Sequence, residues 1–278
     1  MFTETTSCSD ATRAKAEGMS AIDDTSHPVV RRVADVMRST APRPRTLIVD
    51  DEENIRQAIA AGVQIDSLYA TPGVELGAEF QTDVTAAPLH LVEENVMKGL
   101  FKAEKRSRVF ALARAPKPAT WDDVAARGGD LIVLDGVRIA GNIGAIIRSA
   151  CAFDAAGIIL LGSGLSNVFD RRLIRASRGL AFSIPMIIAD GSELAEFLRA
   201  EHIPLASLAA DGDAPLWSIG AAAERIALLM GSERSGASAE LENLADWRCS
   251  VPMSPGIESL NVSVATGIAL YERRRLAA

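Results

Sequence analysis

The stretch DLIVLDGVRIAGNIGAIIRSACAFDAAGIILLG, residues 130–162, decides the fold. Two apolar runs, DLIVLDG (130–136) and GIILLG (157–162), are strand candidates, and residues 142–155 between them have a helical pattern. Strands this apolar, alternating with helices, belong to a parallel sheet covered on both faces. The alternation continues through SIPMIIA (183–189), IPLASLA (203–209), RIALLMG (225–231) and CSVPM (249–253), separated mostly by helical stretches at 170–178, 192–201 and 259–275. Residues 121–278 therefore read as one α/β domain.

A smaller α/β module is expected over residues 27–114, built from TLIVDD (46–51), EENIRQAIAAG (52–62), SLYATP (67–72), LVEENVMKGLF (91–101) and RVFALAR (108–114). Acids in the first turn of 52–62 and Gly62 at its end mark that segment as a helix. APKPAT (115–120), with two prolines within three positions, reads as a stiff linker. Residues 1–26, rich in Ser, Thr, Ala and acids, read as a flexible tail.

Composition bounds the function classes. The 278 residues suit two domains, and an apolar share of 48% excludes a fibrous or wholly disordered chain. Apolar runs such as IALLM (226–230) fall far short of the roughly 20 residues a spanning helix needs. The first 27 residues show no basic start followed by an apolar core, so the expected compartment is the cytoplasm. Cys8, Cys151 and Cys249 share no metal-binding or redox spacing, and three histidines give no zinc motif, so no metal is expected.

A net charge of −7 disfavours a polyanionic partner only if charge is evenly spread. Residues 31–115 hold 12 bases and 12 acids, while residues 1–30 and 116–278 carry the acid excess. KGLFKAEKRSR (98–108) gathers Lys98, Lys102, Lys105, Arg106 and Arg108 around Phe101. Such a cluster can grip RNA phosphates and stack a base, although a solvated helix face is the common alternative. RRLIRASR (171–178) is a second basic group.

Three loops follow strand candidates at their carboxyl ends, where open α/β sheets place ligands. In the first, Asn142, Gly144 and Arg148 stand at i, i+2 and i+6, and Gly144 offers close ligand approach. The glycines there do not form G-x-G-x-x-G, which counts against a nicotinamide oxidoreductase. In the second, Gly231 and Gly236 bracket Ser232, Glu233 and Arg234, without the lysine of a P-loop. In the third, Ser259, Asn261 and Ser263 open an apolar helix that ends in Arg273-Arg274-Arg275, readable as a solvated terminus. No G-x-S-x-G elbow supports a hydrolase.

Taken together and in order, NIGAIIR (142–148), LLMGSERSG (228–236) and VPMSPGIESLNVSVA (251–265) resemble the three signature motifs of the SpoU, or TrmH-type, branch of the SPOUT RNA methyltransferases. The whole chain resembles most the thiopeptide-resistance members, which methylate an adenosine ribose 2′-OH in the GTPase-associated region of 23S rRNA. The resemblance implies an L30e-like RNA-binding module over 27–114, a parallel-sheet catalytic domain with a C-terminal trefoil knot, S-adenosylmethionine as donor, and a homodimer. It assigns Asn142, Arg148, Glu233, Ser259 and Asn261 to catalysis. Leu208, Gly231, Ser232, Glu233, Val251 and Leu260, with Arg148 and Arg178, are assigned to the cofactor site. A guanidinium is always protonated and has no acceptor, so Arg148 suits ribose or phosphate binding and stabilisation of alkoxide charge better than proton abstraction. Methylation of another rRNA or tRNA ribose, and a protein that shields the drug site without modifying it, are the alternatives.

Overall fold

The computed structural model describes residues 20–84, 87–101, 107–221 and 225–277. These divide into two compact units between Pro116 and Lys117, inside APKPAT.

The first unit contains α1 (Pro28–Arg38), β1 (Thr46–Asp50), α2 (Glu52–Ala60), β2 (Ile65–Ala70), α3 (Ala78–Asp83), β3 (Leu89–Leu91), α4 (Glu94–Phe101) and β4 (Val109–Arg114). The sheet order is β1-β4-β2-β3, with β4 antiparallel to both neighbours and β3 parallel to β2. Sequence reading gave no element for α1, yet its start is encoded: Pro28 stands in the first turn, and His27 Nδ1 accepts from Val29 N at 3.3 Å. Val30 and Val33 of α1 pack with Ile48, Val96, Met97 and an aromatic group. Tyr69 stacks on Phe110 with centroids 4.6 Å apart, and Phe101 meets Phe110 edge-on at 5.2 Å.

That packing corrects one expectation. Phe101 is only 1% exposed, so it is a core residue and offers no ring to RNA. Among the five bases of that cluster, Lys98 pairs with Glu94 at 3.2 Å on an exposed helix face, and Arg108 is exposed. Lys102, Lys105 and Arg106 lie outside the described residues.

The second unit contains α5 (Trp121–Ala125), β5 (Leu131–Asp135), α6 (Ala140–Ala152), β6 (Gly157–Leu161), α7 (Arg171–Ala176), β7 (Met186–Ala189), α8 (Gly191–Ala200), β8 (Leu205–Leu208), β9 (Ala214–Pro215), β10 (Ala227–Met230), α9 (Ala239–Glu242), β11 (Trp247–Ser250) and α10 (Val262–Ala277). Its seven strands run β7-β6-β5-β10-β8-β11-β9, every pair parallel. The pleat divides the core between the two faces: Ile132, Leu134, Ile158, Leu160 and Leu228 pack with α6 and α10, while Leu131, Val133, Ile159 and Leu229 pack with α8.

Element ends follow local chemistry. β11 stops at Ser250 instead of reaching Met253, since Pro252 has no N–H for a ladder. α7 stops at Ala176, because Arg178 and Gly179 take left-handed φ values of 54° and 80°.

Gly144 has a different reason for being small than ligand approach. A Cβ there would lie 2.4 Å from Ala176 Cβ and 2.5 Å from its carbonyl carbon, so the glycine lets α6 and α7 touch. Gly144→Ala is expected to lose a net ~1–2 kcal/mol, as overpacking outweighs the gain in helix propensity. Urea titration would show a lowered midpoint, and an unchanged or raised midpoint would reject this close crossing.

Candidate active site

The carboxyl ends of β5, β8, β10 and β11 lie side by side in the sheet, so their following loops converge at one edge. After β10, Ser232 N donates to Gly236 O and Gly236 N to Ser232 O, both at 3.0 Å, closing a tight loop. Gly231 cannot carry a side chain, since its Cβ would sit 2.0 Å from Ala237 N and from Gly236 C. Asp135, at the end of β5, holds the far side of the loop by accepting from Ser238 N at 2.7 Å.

The loop delivers Glu233 to a three-residue network. Glu233 Oε1 accepts from Asn142 Nδ2 at 3.0 Å and from Asn261 Nδ2 at 2.9 Å. Asn261 Nδ2 also donates to Asn142 Oδ1 at 3.2 Å. Asn261 Oδ1 accepts from Ser263 N at 2.9 Å, capping α10. One residue therefore both starts a helix and ties together loops that are far apart in sequence.

Two cavities meet at this network. One, of about 420 Å³, is lined by Leu208, Gly231, Ser232, Glu233, Val251, Ser259 and Leu260, among others. The other, of about 560 Å³, is lined by Gly136, Val137, Arg138, Ile139, Asn142, Glu233 and Arg234, among others. Ser232, Glu233, Ser235 and Val262 line both.

Arg148 and Arg178 stand apart. Neither lines either cavity, and both are exposed. Six residues beyond Asn142 on the same helix is a rotation of about 240°, so Arg148 leaves from another face. The geometry of this chain thus does not place the two arginines on the cofactor cavity wall.

The first cavity also contains an ionic cluster that sequence reading missed. Arg248 Nε donates to Glu242 Oε2 at 2.8 Å and Arg248 Nη2 to Asp211 Oδ1 at 2.9 Å, while Ser207 Oγ donates to Glu242 Oε1 at 2.5 Å. Donating to the carboxylates of Glu242 and Asp211 raises the Arg248 pKa further. No sequence signal joins these residues, since β8, α9 and β11 bring them together only in the folded sheet. Among the described residues, no group of His, Cys, Asp and Glu could hold a metal ion.

Residues 130–271 match the model of the SpoU rRNA methylase family, and residues 19–127 match the N-terminal region of thiostrepton-resistance methylases. The chain belongs to the SpoU rRNA methylase family. It is 41% identical over 92% of its length to the 23S rRNA (adenosine(1067)-2′-O)-methyltransferase of Streptomyces azureus, covering 97% of that protein. The enzyme of the same name from Streptomyces laurentii is 40% identical over 91% of this chain and 95% of its own. An AdoMet-bound rRNA methyltransferase from Sinorhizobium meliloti superposes with a TM-score of 0.76, at 26% identity over 92% of this chain and 97% of that one. The SpoU chain thus has the α/β parallel-sheet fold of SPOUT enzymes, with its three motif loops at one edge of the sheet.

Proposed function

We propose that the chain transfers a methyl group from S-adenosylmethionine to the ribose 2′-OH of an adenosine in the GTPase-associated region of 23S rRNA, conferring thiopeptide resistance. The observation that carries this reading is the pair of cavities sharing Glu233, in a chain so similar to two enzymes named for the adenosine reaction.

The smaller cavity suits the cofactor. Its volume is in the ~300–1,000 Å³ range of small-molecule sites, and it combines apolar walls with a few charged groups. Leu208, Gly231, Ser232, Val251 and Leu260 would hold it. When bound, S-adenosylmethionine supplies an electrophilic methyl group on a sulfonium. The chain's own contribution is orientation, because transfer to a hydroxyl needs oxygen, carbon and sulfur in line. Asn142 and Asn261, fixed by Glu233, set the wall past which the hydroxyl must approach. Arg148, exposed on α6, reaches the substrate through an RNA phosphate lying over the site or through a second subunit. Arg148→Lys keeps the charge and loses the planar fork, so turnover should fall roughly tenfold with RNA affinity unchanged. Near-normal turnover would sink an Arg148 role.

The active form is a homodimer in this reading. Val264, Ile268 and Tyr271 are 51%, 36% and 57% exposed and share one face of α10, an apolar stripe suited to an identical helix. A trefoil knot accords with β11 lying between β8 and β9, and with Gly212 packed against the Cys249 backbone so closely that a Cβ would come within 2.4 Å. The first unit serves as the L30e-like RNA-binding module, with Lys98 and Arg108 among its phosphate contacts. Among the described residues no helix is long and apolar enough to cross a membrane, and a 23S rRNA substrate places the work in the cytoplasm.

Mass spectrometry of 23S rRNA fragments after incubation with protein and S-adenosylmethionine tests the reading. One added methyl on a single adenosine ribose is the expected result. Methyl on a base, on another nucleotide, or none despite RNA binding would overturn it.

A further inference from the structure

The larger cavity is not the one assigned above to the cofactor, and its lining departs from ordinary helix chemistry at one position. Ile139 is the N-cap residue of α6 and makes no side-chain capping bond, whereas Ser, Asp or Asn there would satisfy an orphan N–H. It is also 57% exposed, directly on the cavity lining. A poor cap that exposes a branched apolar side chain violates local rules, and such violations concentrate at functional sites. Beneath it, Val137 and Val262 are 4% and 6% exposed and provide an apolar floor. Arg138 and Arg234 supply the positive charge of the cavity. Arg138 Nε donates to Gly162 O at 3.1 Å, which anchors one edge of its guanidinium and leaves further donors of the fork for a ligand. Arg234 makes no hydrogen bond or ion pair among the described residues.

An aliphatic platform flanked by two guanidinium groups matches an unstacked nucleotide: a base against the apolar side chains and phosphates on the arginines. The shared wall at Glu233 puts that nucleotide's ribose next to the first cavity. A base stacked in an RNA helix cannot enter a cavity, so the nucleotide must leave its stack. We propose that the target adenosine is everted into this second cavity, with its base on Ile139 and its flanking phosphates on Arg138 and Arg234. Ile139 is then a positioning residue for the acceptor. The inference rests on the methyl-transfer reading above for the identity of the nucleotide.

The test is an Ile139→Ser variant with a 23S rRNA fragment carrying 2-aminopurine in place of each adenosine in turn, a probe that brightens when it unstacks. Serine is a better N-cap than isoleucine, so the melting temperature should stay level or rise, and cofactor affinity should not change. Wild-type protein should brighten the probe at one position, and the variant should lose most of that signal. Single-turnover methyl transfer should fall roughly tenfold in the variant, as expected for losing one branched apolar contact to the base. Arg234→Ala should instead weaken RNA affinity and flatten its salt dependence by about one counterion. No brightening with wild-type protein, or equal brightening and rate with Ile139→Ser, would overturn the proposal. Brightening that depends on Ile139 without any methyl transfer would instead overturn the methyl-transfer reading and leave the cavity assignment standing.

Discussion

Asp130→Ala is expected to destabilise the fold by about 3–5 kcal/mol, the usual cost of removing one member of a buried ion pair. Asp130 and Arg273 side chains are 11% and 9% exposed, and they meet in a two-pronged contact: Arg273 Nε to Asp130 Oδ2 at 2.7 Å and Nη2 to Oδ1 at 2.9 Å. Asp130 Oδ1 also accepts from Ile226 N at 3.0 Å, and Arg273 Nη1 donates to Ile219 O at 2.7 Å. Removing the carboxylate takes the two-pronged acceptor from a guanidinium held largely out of water and the side-chain acceptor from the Ile226 amide at the start of β10. Denaturant unfolding checks the value. The double variant Asp130→Ala/Arg273→Ala should recover part of the loss, because the buried charge that has lost its carboxylate is gone. A single-variant cost below about 1 kcal/mol would show that water replaces the carboxylate easily. The pair sits at the amino end of β5, away from the carboxyl-end loops, so under native conditions cofactor affinity should be unaffected.

The same pair marks where sequence reading stops. Arg273-Arg274-Arg275 reads as a solvated helix terminus favoured by the dipole, and for Arg275, paired with Glu272 at 2.6 Å on the surface, that is sufficient. Nothing local distinguishes Arg273, whose partner is 143 residues away in sequence. Phe101 failed for the same reason: its basic neighbours are visible in the chain, but its contact with Phe110 across the core is not. Gly144 was legible as a residue that must be small, while the cause, the backbone of α7, was not. Apolar periodicity, by contrast, is local, so six of the seven strands of the parallel sheet and the position of its motif loops are legible directly, whereas the two-residue β9, Ala214–Pro215, carries no apolar run to mark it. The motif residues Asn142, Glu233 and Asn261 were legible as a set only through a family resemblance. Their hydrogen bonds span up to 119 residues of sequence, and no spacing rule reports that distance.

Glu233→Ala should reduce single-turnover methyl transfer by roughly 10²–10³-fold, comparable to removing a preorganised polar group from other active sites. Among the described residues, Glu233 is the single carboxylate shared by the linings of both cavities, and one of its oxygens orients two amides. Without it, Asn142 and Asn261 are tied to each other only by their 3.2 Å bond, Asn261 Oδ1 keeps its cap on Ser263, and the wall between donor and acceptor loses the carboxylate that fixes both amides. Glu233→Gln separates two roles. Its carbonyl oxygen can still accept from both amides, so if Glu233 acts through orientation, the Gln variant keeps most of the rate. If its charge matters, Gln falls nearly as far as Ala. Both variants should fold normally, since Glu233 is exposed and outside the core. Ala retaining a rate within about threefold of wild type at saturating cofactor and RNA would remove Glu233 from the mechanism and, with it, the geometric basis for placing methyl transfer at this wall.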